Sequence, residues 1–523
     1  MAMLGDIPAD LAEFVHVENV PNGGIRVAVD INRRTDKRVQ GWIGQLMQAN
    51  REKTVSPDFV SLSELNERRK KKPDSTGLTL ADLTNVSDRQ KAVLSYFAQG
   101  KSLHASDIHL IIDSALCRVQ FRIHGELETI DELPGDEGVA QASTTILSMC
   151  DVTETQFYPN RKQDGRIKAE FLRKVGLFGA RYSHTPTASG LYVVMRIIPD
   201  DGDNAPSLNE LGFLPEQQQL SQQMLRTPEG IVLLTGPTGS GKSTTLRSFS
   251  TLYLERTQGR KRLLTIEDPP EGAIPGAIQT PIIADKSNND AVLQAWDKAN
   301  SSALRLDPDA ILMGEIRDGV SLKAALYASE TGHLVMSTLH ANSAVGSLRR
   351  MGLMGISEEL IADPQLLIGL ISQRLVQVLC PDCRISWGEK VLQLSLEQRV
   401  RLERYCQIKG ICDVENLHFR NAEGCPQCQK KLNDRLVSRG VVGRSVIAEV
   451  IRPDARFMSL YLEQGQMVAR QHWLDHLGGI SRLTHLLHKL NAGQVDALDA
   501  DLVCPLDEDE MLRHDNDRGM ADA

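Results

Sequence analysis

Apolar runs alternate with helical segments most regularly over residues 201–375. The runs IVLLT, RLLTI, AILMG and HLVMST are rich in leucine and β-branched residues, and each is followed by a turn or a helical segment. Strands that are apolar throughout and separated by helices are typical of a mostly parallel sheet covered on both faces. The pattern therefore predicts an α/β domain over residues 201–375.

Residues 87–200 carry a different pattern. SDRQKAVLSYFAQ has helical periodicity, whereas SDIHLIID and CRVQFRIHGEL alternate apolar and polar positions, as the strands of a half-buried sheet do. LYVVMRII adds a further strand, and the turn-rich segment DDGDNAPS separates this region from the next. The sequence predicts a small α+β domain over residues 87–200.

The two ends of the chain are less regular. Residues 1–86 show no clear pattern apart from the basic run RRKKK at 68–72, which is typical of a solvated linker, with contact to anionic lipid or an acidic partner as the alternative. Residues 431–505 have helical character. The acidic segment 506–523 is expected to be disordered.

The segment GPTGSGKSTT joins the run IVLLT to a helical segment and has the form of a phosphate-binding loop. Its glycines free the backbone to point N–H groups at a phosphate chain. The lysine reaches the β- and γ-phosphates, the following serine places its hydroxyl on Mg²⁺, and the helix adds its positive end. The expected nucleotide contacts are Gly236, Pro237, Thr238, Gly239, Ser240, Gly241, Lys242, Ser243 and Thr244, with Ser243 as the Mg²⁺ ligand.

Two acidic clusters follow at the ends of apolar runs. LLTIEDPPE contains Glu267, Asp268 and Glu271, and DPDAILMGEIRD contains Glu315 beside Arg317. A carboxylate at the end of a strand beside a phosphate loop holds Mg²⁺ or its water shell, and a second orients the attacking water. The two clusters predict a site that hydrolyses the bound nucleotide.

Two histidines flank the run LVMSTL. His333 precedes it and His340 follows it. A lone histidine is more often a satisfied structural residue than a catalytic one, but the pair at one strand suggests that at least one senses the γ-phosphate or links subunits.

The chain has nine cysteines, and four of them form two CxxC pairs. Without an export signal this spacing favours metal over disulfides, and four thiolates match a closed, structural Zn²⁺ site. Redox-active or free thiols are the alternative, and two further cysteines in the loop between the pairs are candidate substitute ligands. The predicted ligands are Cys380, Cys383, Cys425 and Cys428 in an element over residues 376–430, and the substitutes are Cys406 and Cys412.

Composition narrows the classes of partner. Among 523 residues, 59 lysines and arginines stand against 68 acidic residues, a net charge of −9, and aromatics make up 4%. This balance argues against a broad, nonspecific nucleic-acid binder, although a local basic groove stays open. No apolar run approaches the roughly 20 residues of a membrane span, and the first residues have no signal pattern. A cytoplasmic protein is expected, with docking on a membrane protein left open.

Together, GPTGSGKST, TIEDPPE, LRLDPDAILMGEIRD and ETGHLVMSTLHAN resemble the Walker A, Asp box, Walker B and His box of the secretion-ATPase superfamily. SDIHLIID, VQFRIHGEL and QDGRI resemble the second N-terminal domain of that superfamily. The resemblance implies a PAS-like domain before a RecA-like core, a homo-hexamer, and hydrolysis of ATP with Mg²⁺. It also implies docking at the inner membrane on a platform protein, with no direct nucleic-acid partner.

The resemblance also implies roles for individual residues. Glu271 matches the glutamate proposed as general base, and Glu315 matches the Walker B glutamate near Mg²⁺. Arg166 and Arg181 resemble arginines that neutralise the triphosphate from the N-terminal domain, with surface salt bridges as the alternative. The implied catalytic set is Glu267, Glu271, Glu315, His333, His340, Arg166 and Arg181. One departure is His124 in RIHGEL, where the family usually has aspartate.

The cysteine pairs separate the branches of the superfamily. Assembly ATPases of type IV pili and type II secretion ATPases typically carry a tetracysteine element after QRLVxxLCPxC, matched here by Gln373 to Cys383. The resemblance therefore implies a motor for pilus extension or type II secretion. Two other hypotheses stay open: a DNA-transfer or other nucleic-acid motor with the same core, and a nucleotide-gated scaffold without appreciable hydrolysis.

Overall fold

The computed structural model describes residues 7–8, 11, 14–19, 25–50, 54–61, 64–65, 78–79, 86–151, 156–200, 205–284, 289–432 and 435–512. The chain divides into two compact units, Met1–Leu78 and Thr79–Ala523. The basic run at 68–72 and the final residues 513–523 lie outside the described residues.

The first unit contains a small three-stranded sheet. Strand β1 (Val15–Asn19) pairs antiparallel with β2 (Ile25–Asp30), and β2 pairs parallel with β3 (Val55–Val60). The helix Lys37–Ala49 buries Val39, Trp42, Ile43 and Leu46 in an apolar cluster shared with these strands. A short 3₁₀ turn, Ile31–Arg33, follows β2, and the two-residue strand β4 (Leu78–Thr79) spans the division between the units.

The second unit begins with an antiparallel sheet of seven strands in the order β7-β6-β5-β12-β11-β10-β8. One face packs on helices around a core that includes Phe97, Phe121 and Tyr182. The strands are β5 (Ala105–Asp113), β6 (Leu116–Ile123), β7 (Glu126–Pro134), β8 (Cys150–Asp151), β10 (Gln163–Ile167), β11 (Leu177–Pro186) and β12 (Gly190–Pro199), with a short β9 (Gln156–Phe157) outside the sheet. The helices are Val86–Ser102, Gly135–Thr144, Thr145–Met149, Ala169–Leu172 and Arg173–Val175.

A second seven-stranded sheet follows in the order β15-β14-β16-β17-β13-β18-β23, and its first six strands are parallel. The predicted parallel sheet is therefore present. Its strands are β13 (Gly230–Thr235), β14 (Leu263–Glu267), β15 (Ile278–Pro281), β16 (Ala310–Ile316), β17 (Leu334–Leu339), β18 (Leu367–Leu379) and β23 (Val441–Ile451). The helices around it are Leu208–Leu211, Pro215–Met224, Lys242–Arg256, Asn289–Ala303, Gly319–Glu330, Gly346–Leu353 and Glu358–Ile361.

The sheet extends beyond the predicted end of the α/β domain. β18 continues to Leu379, and β23 pairs antiparallel along it from Leu370 opposite Ile451 to Leu379 opposite Val441. The expectation of helical character over 431–505 is therefore wrong for Val441–Ile451. The run VIAEVI reads equally as a helix or a strand by its apolar content, and the free edge of β18 decides for the strand.

The insert between β18 and β23 has its own small core. Trp387 stacks on Phe419, with ring centroids 6.2 Å apart, and Leu402 packs beside them. Its strands are β19 (Ile385–Ser386), β20 (His418–Phe419), β21 (Lys430–Leu432) and β22 (Arg435–Val437). Its helices are Trp387–Lys390, Val391–Gln393, Leu396–Cys406 and Val414–Asn416.

The described chain ends in helices, and its acidic last segment is ordered as far as Leu512, against the expectation of disorder. Glu508 accepts hydrogen bonds from Arg482, and Asp509 accepts one from Arg470 at 2.7 Å. The two arginines are buried, so the acidic side chains neutralise charges that burial would otherwise penalise. The helices are Ala455–Gln464, Gln466–His476, Arg482–Asn491, Ala497–Asp501 and Glu508–Met511.

Within the described ranges, no helix is long and apolar enough to cross a membrane.

The buried ion pair of Arg470 is testable by substitution. Its guanidinium donates to Glu449, which lies on β23 and is 2% exposed. Removing the cation leaves this carboxylate buried and unpaired, so Arg470→Ala should lower the free energy of unfolding by about 3–5 kcal/mol. Urea unfolding followed by tryptophan fluorescence measures the change.

Arg399→Ala is the matched control. This arginine pairs with Glu403 at 2.7 Å on an exposed helix face, where such pairs contribute about 0.5 kcal/mol or less. Equal effects of the two substitutions would contradict the assigned role of the buried pair.

Candidate functional site

The predicted phosphate loop lies between β13, which ends at Thr235, and the helix that begins at Lys242. Gly236 has a φ of 144°, and a Cβ there would lie 2.4 Å from the Gln373 carbonyl oxygen. The Gln373 side chain, on the neighbouring strand β18, donates from Nε2 to the Ser240 carbonyl oxygen at 2.7 Å. The loop therefore needs glycine at its first turn, and β18 holds it against the sheet.

Lys242 points across this loop. Its Nζ donates to the carbonyl oxygens of Gly236 at 2.9 Å and Pro237 at 3.0 Å. Burial lowers the pKa of Lys242, while the carboxylates of Glu315 and Glu271 act in the opposite direction. The ammonium is thus a cation without a direct carboxylate contact among the described residues, as a lysine that binds phosphate requires.

A cavity of about 750 Å³ opens in front of the loop, between the parallel sheet and the antiparallel sheet. Most of the predicted site residues line it. These are Thr238, Gly239, Ser240, Gly241, Lys242, Ser243, Thr244, Glu267, Glu271, Glu315, His340 and Arg181. The parallel strands explain the convergence, since Thr235 of β13 lies opposite Leu339 of β17 and both strands end at the same edge.

Glu271 and Arg181 meet across the cavity. Arg181 on β11 donates from Nη2 to Glu271 Oε1 at 2.8 Å. Burial lowers the pKa of Arg181, and Glu271 opposes that shift. The Arg181 Nε is buried and has no hydrogen-bond partner among the described residues. A guanidinium in the cavity wall fits an oxyanion such as a nucleotide phosphate.

The other two carboxylates have different surroundings. Glu315, on β16, accepts from Arg317 Nε at 2.8 Å and lies 2.8 Å from His340 Nε2. Glu267, at the end of β14, accepts only from the neutral donors Thr265 Oγ1 at 2.6 Å and Gln279 Nε2 at 3.1 Å among the described residues. Hard carboxylate oxygens in the same cavity as the Ser243 hydroxyl fit the ligand preference of Mg²⁺.

Two predicted catalytic residues do not line the cavity. His333 precedes β17, at the strand end opposite to the loop, and its Nδ1 contacts the Ala328 carbonyl oxygen at 2.9 Å. A strand separates the two histidines, so the structure brings His340 but not His333 to the cavity, and a catalytic role for His333 stays a prediction. Arg166 lies on β10 opposite Arg181, but its side chain is exposed and outside the cavity.

Sequence reasoning missed several charged residues of the cavity wall. The register of the antiparallel sheet aligns Arg181 with Arg196, Arg196 with Asp107, and Asp107 with Arg122. Residues directly opposite in such a sheet share a face, so these four side chains form one row toward the cavity. Arg196 within LYVVMRII and Asp107 within SDIHLIID were visible as polar positions in strands. Their position side by side in one row follows only from the pairing of the strands.

The four cysteines of the CxxC pairs converge on one point. Their Sγ atoms lie within 4.8 Å of one another, with Cys380 and Cys425 3.8 Å apart and Cys383 and Cys428 3.8 Å apart. A tetrahedral Zn²⁺ with Zn–S bonds of about 2.3 Å holds its sulfurs about 3.8 Å apart. The backbone N–H groups of Cys425 and Gly440 donate to Cys428 Sγ at 3.2 Å each, which stabilises a thiolate. The donor set fits zinc.

Cys406 and Cys412 are not part of this group. Both are buried in the apolar core of the insert, with Trp387 and Phe419. The hypothesis that they substitute as ligands is therefore wrong for this structure. Burial raises the pKa of both thiols, to about 12 and about 11, which keeps them protonated.

Comparisons with known proteins agree with this architecture. The family described as type II/IV secretion system protein matches residues 90–494. The chain is 34% identical over 370 residues to the type II secretion system ATPase E of Vibrio cholerae, covering 70% of this chain and 66% of the relative. It is 35% identical over 421 residues to the type II secretion system protein E of Pectobacterium carotovorum, covering 79% of this chain and 74% of the relative.

The matched region is just under two thirds of the length of some relatives, with 66% for the Vibrio cholerae protein and 64% for the type II secretion system protein E of Pseudomonas aeruginosa. Among solved structures, the ATPase DotB of Yersinia pseudotuberculosis is similar with a TM-score of 0.51 at 20% identity, covering 81% of this chain and 95% of that one. DotB of Legionella pneumophila is similar with a TM-score of 0.50 at 20% identity, covering 82% and 97%.

The fold and the cavity together define an α/β protein with the secretion-ATPase fold and a tetracysteine cluster. The chain belongs to the type II/IV secretion system protein family.

The cluster of four cysteines predicts close to one zinc per chain. Cys425→Ser removes one of four thiolates and should abolish most of the bound zinc, because serine is a poor ligand for this ion. Metal analysis of the purified protein measures it. Cys412→Ser, in the apolar core of the same insert, is the control and should keep its zinc. Zinc-free protein with the wild-type thermal unfolding midpoint would contradict a structural metal.

Proposed function

We propose that the chain hydrolyses ATP with Mg²⁺ and uses the energy to drive type II secretion or the extension of type IV pili. The observation that carries this proposal is one cavity in which Lys242, Glu271, Glu315 and Arg181 converge on the glycine-rich loop. A scaffold that only binds nucleotide has no need of paired carboxylates and an arginine from a second sheet. Names of relatives such as "type II secretion system ATPase E" support the same function.

In this proposal the glycine-rich loop binds the nucleotide, and the charged residues around it catalyse hydrolysis. Lys242 holds the β- and γ-phosphate oxygens, and Ser243 and Glu315 are the residues that would hold Mg²⁺, which supplies charge neutralisation when bound. Glu271 accepts the proton of the attacking water. Arg181 lines the cavity and is paired with Glu271, so one side chain positions the base and stabilises developing negative charge.

The wider assignment also rests on the family. We propose a RecA-like motor core, a PAS-like domain over the antiparallel sheet, and a homo-hexamer in the cytoplasm that associates peripherally with an inner-membrane platform protein. The tetracysteine cluster supports the extension or secretion branch of the superfamily. No specific observation favours a nucleic-acid motor, and unchanged hydrolysis on addition of DNA would agree with the proposal, whereas salt-sensitive stimulation would contradict it.

The base assignment predicts the effect of Glu271→Gln. The amide keeps the size of the side chain but cannot accept the proton, so kcat should fall by about 10²–10⁴-fold while binding of a non-hydrolysable ATP analogue persists. Steady-state phosphate release and analogue titration measure the two quantities. Lys242→Ala is the contrasting variant, since it should lose the binding itself. A Glu271→Gln protein with wild-type turnover would exclude this base.

The two histidines give a second test. His340 contacts Glu315 in the cavity, whereas His333 lies at the opposite end of β17. His340→Ala should therefore lower the rate of ATP hydrolysis by at least about tenfold, since it removes a partner of a catalytic carboxylate. His333→Ala should stay within about twofold of wild type. The opposite order of effects would contradict the placement of these residues.

A further inference from the structure

The cavity carries more positive than negative charge on its wall. Seven arginine and lysine side chains line it against five carboxylates. Arg181 pairs with Glu271, Arg317 with Glu315, and Arg196 with Asp107 at 3.1 Å. Lys242 belongs to the phosphate loop. Of the three remaining arginines of the wall, Arg247 is buried in the helix that follows the loop, whereas Arg122 and Arg444 form no ion pair within the described residues.

These two arginines come from different sheets and meet at one end of the cavity. Arg122 lies on β6, and its Nη1 donates to the Gly125 carbonyl oxygen at 2.8 Å in the turn that follows. The same turn contacts the parallel sheet, since Gln377 Nε2 donates to the His124 carbonyl oxygen at 3.0 Å. Gln377 on β18 lies directly opposite Arg444 on β23. We call Arg122, Arg444 and their neighbour Asp107 the distal end.

The distal end is separate from the site of the γ-phosphate. In the row across the antiparallel sheet, Arg122 is three strands away from Arg181. At the usual spacing of about 4.8 Å between strands, this is about 14 Å. A phosphate held by Lys242 and Arg181 therefore lies too far away to neutralise Arg122, and a nucleoside has no charge with which to do so.

The one carboxylate of the distal end is already engaged. Asp107 accepts from Arg196 Nε at 3.1 Å and from Ser106 Oγ at 2.8 Å, and it is 7% exposed. Burial and the neighbouring Arg444 both lower the pKa of His124 to about 4, so this histidine is neutral and adds no charge. Asp107 lies opposite Arg122 and acts electrostatically on Arg444, but it is already shared with Arg196, so three guanidinium groups face one carboxylate and the distal end keeps an excess of positive charge.

We propose that the distal end is a second anion site, in which Arg122 and Arg444 bind a phosphate group while the phosphate loop holds its nucleotide. Two guanidiniums provide planar pairs of donors that match phosphate oxygens. The choice of phosphate rests on the proposed ATP hydrolysis, because the same cavity would release that product. The anion site itself rests only on the charges and their geometry.

The site would also connect hydrolysis to the arrangement of the two sheets. Arg122 belongs to the antiparallel sheet and Arg444 to the edge strand β23 of the other sheet, so an anion between them links the sheets, and its departure removes this link. The source of the phosphate group is either the released product or a phosphate of a second nucleotide, and both share the chemistry that the arginines recognise.

The test uses the full chain with Mg²⁺ and a saturating non-hydrolysable ATP analogue, which fills the phosphate loop. Inorganic phosphate is then titrated and followed by calorimetry and by the ³¹P resonance. One phosphate per chain should bind, and Arg444→Gln should weaken it at least tenfold. The Arg444 side chain makes no hydrogen bond within the described residues, so this variant should fold normally. Arg118→Gln, on the same strand as Arg122 but outside the cavity, is the control and should bind as wild type does.

His124→Asp is the second variant, because it supplies an internal carboxylate beside Arg444 and should weaken phosphate binding at least tenfold without removing an arginine. Addition of ADP identifies the source of the phosphate group. If ADP displaces the bound phosphate, the site binds a phosphate of a second nucleotide. If ADP does not displace it, the site binds the released product. Absence of phosphate binding with the loop filled, or binding unchanged in both variants, overturns the proposal. A chain that fails to bind the ATP analogue would instead refute the proposed function.

Discussion

The common carboxyl edge of the parallel sheet is the constraint on which the site depends. Four parallel strands, β13, β14, β16 and β17, end at this edge. The phosphate loop, Glu267, Glu315 and His340 therefore lie close together. The same geometry places His333 at the opposite edge of the sheet, because this residue precedes β17 and does not follow it. Chain direction thus decides which member of a sequence motif takes part in the site.

The antiparallel sheet forms the other wall of the cavity. Its charged row faces the cavity, and the pair of Arg181 with Glu271 joins the two sheets at the point where the base is expected. The opposite face of that sheet buries Phe121, Tyr182 and Met195 in the apolar core. Residues on one face of these strands therefore stabilise the domain, and the residues that alternate with them on the other face supply charge to the cavity.

Buried charge also organises the end of the chain. Glu508 and Asp509 neutralise Arg482 and Arg470 beside β23, and Arg482 also donates to the Asn342 carbonyl oxygen at 3.3 Å. Asn342 follows His340 by two residues. The acidic segment that composition marks as disordered is therefore part of the support of the loop that carries His340.

Local pattern by itself determined the parallel sheet, the phosphate loop, the two acidic clusters and the cysteine pairs, because each depends on residues close together in the chain. The tertiary structure decided what depends on partners far apart. It assigned the run VIAEVI to β23 through the free edge of β18, ordered the acidic segment through two buried arginines, and placed Cys406 and Cys412 in an apolar core. It also aligned Arg181, Arg196, Asp107 and Arg122 in one row, since only strand register determines which side chains share a face.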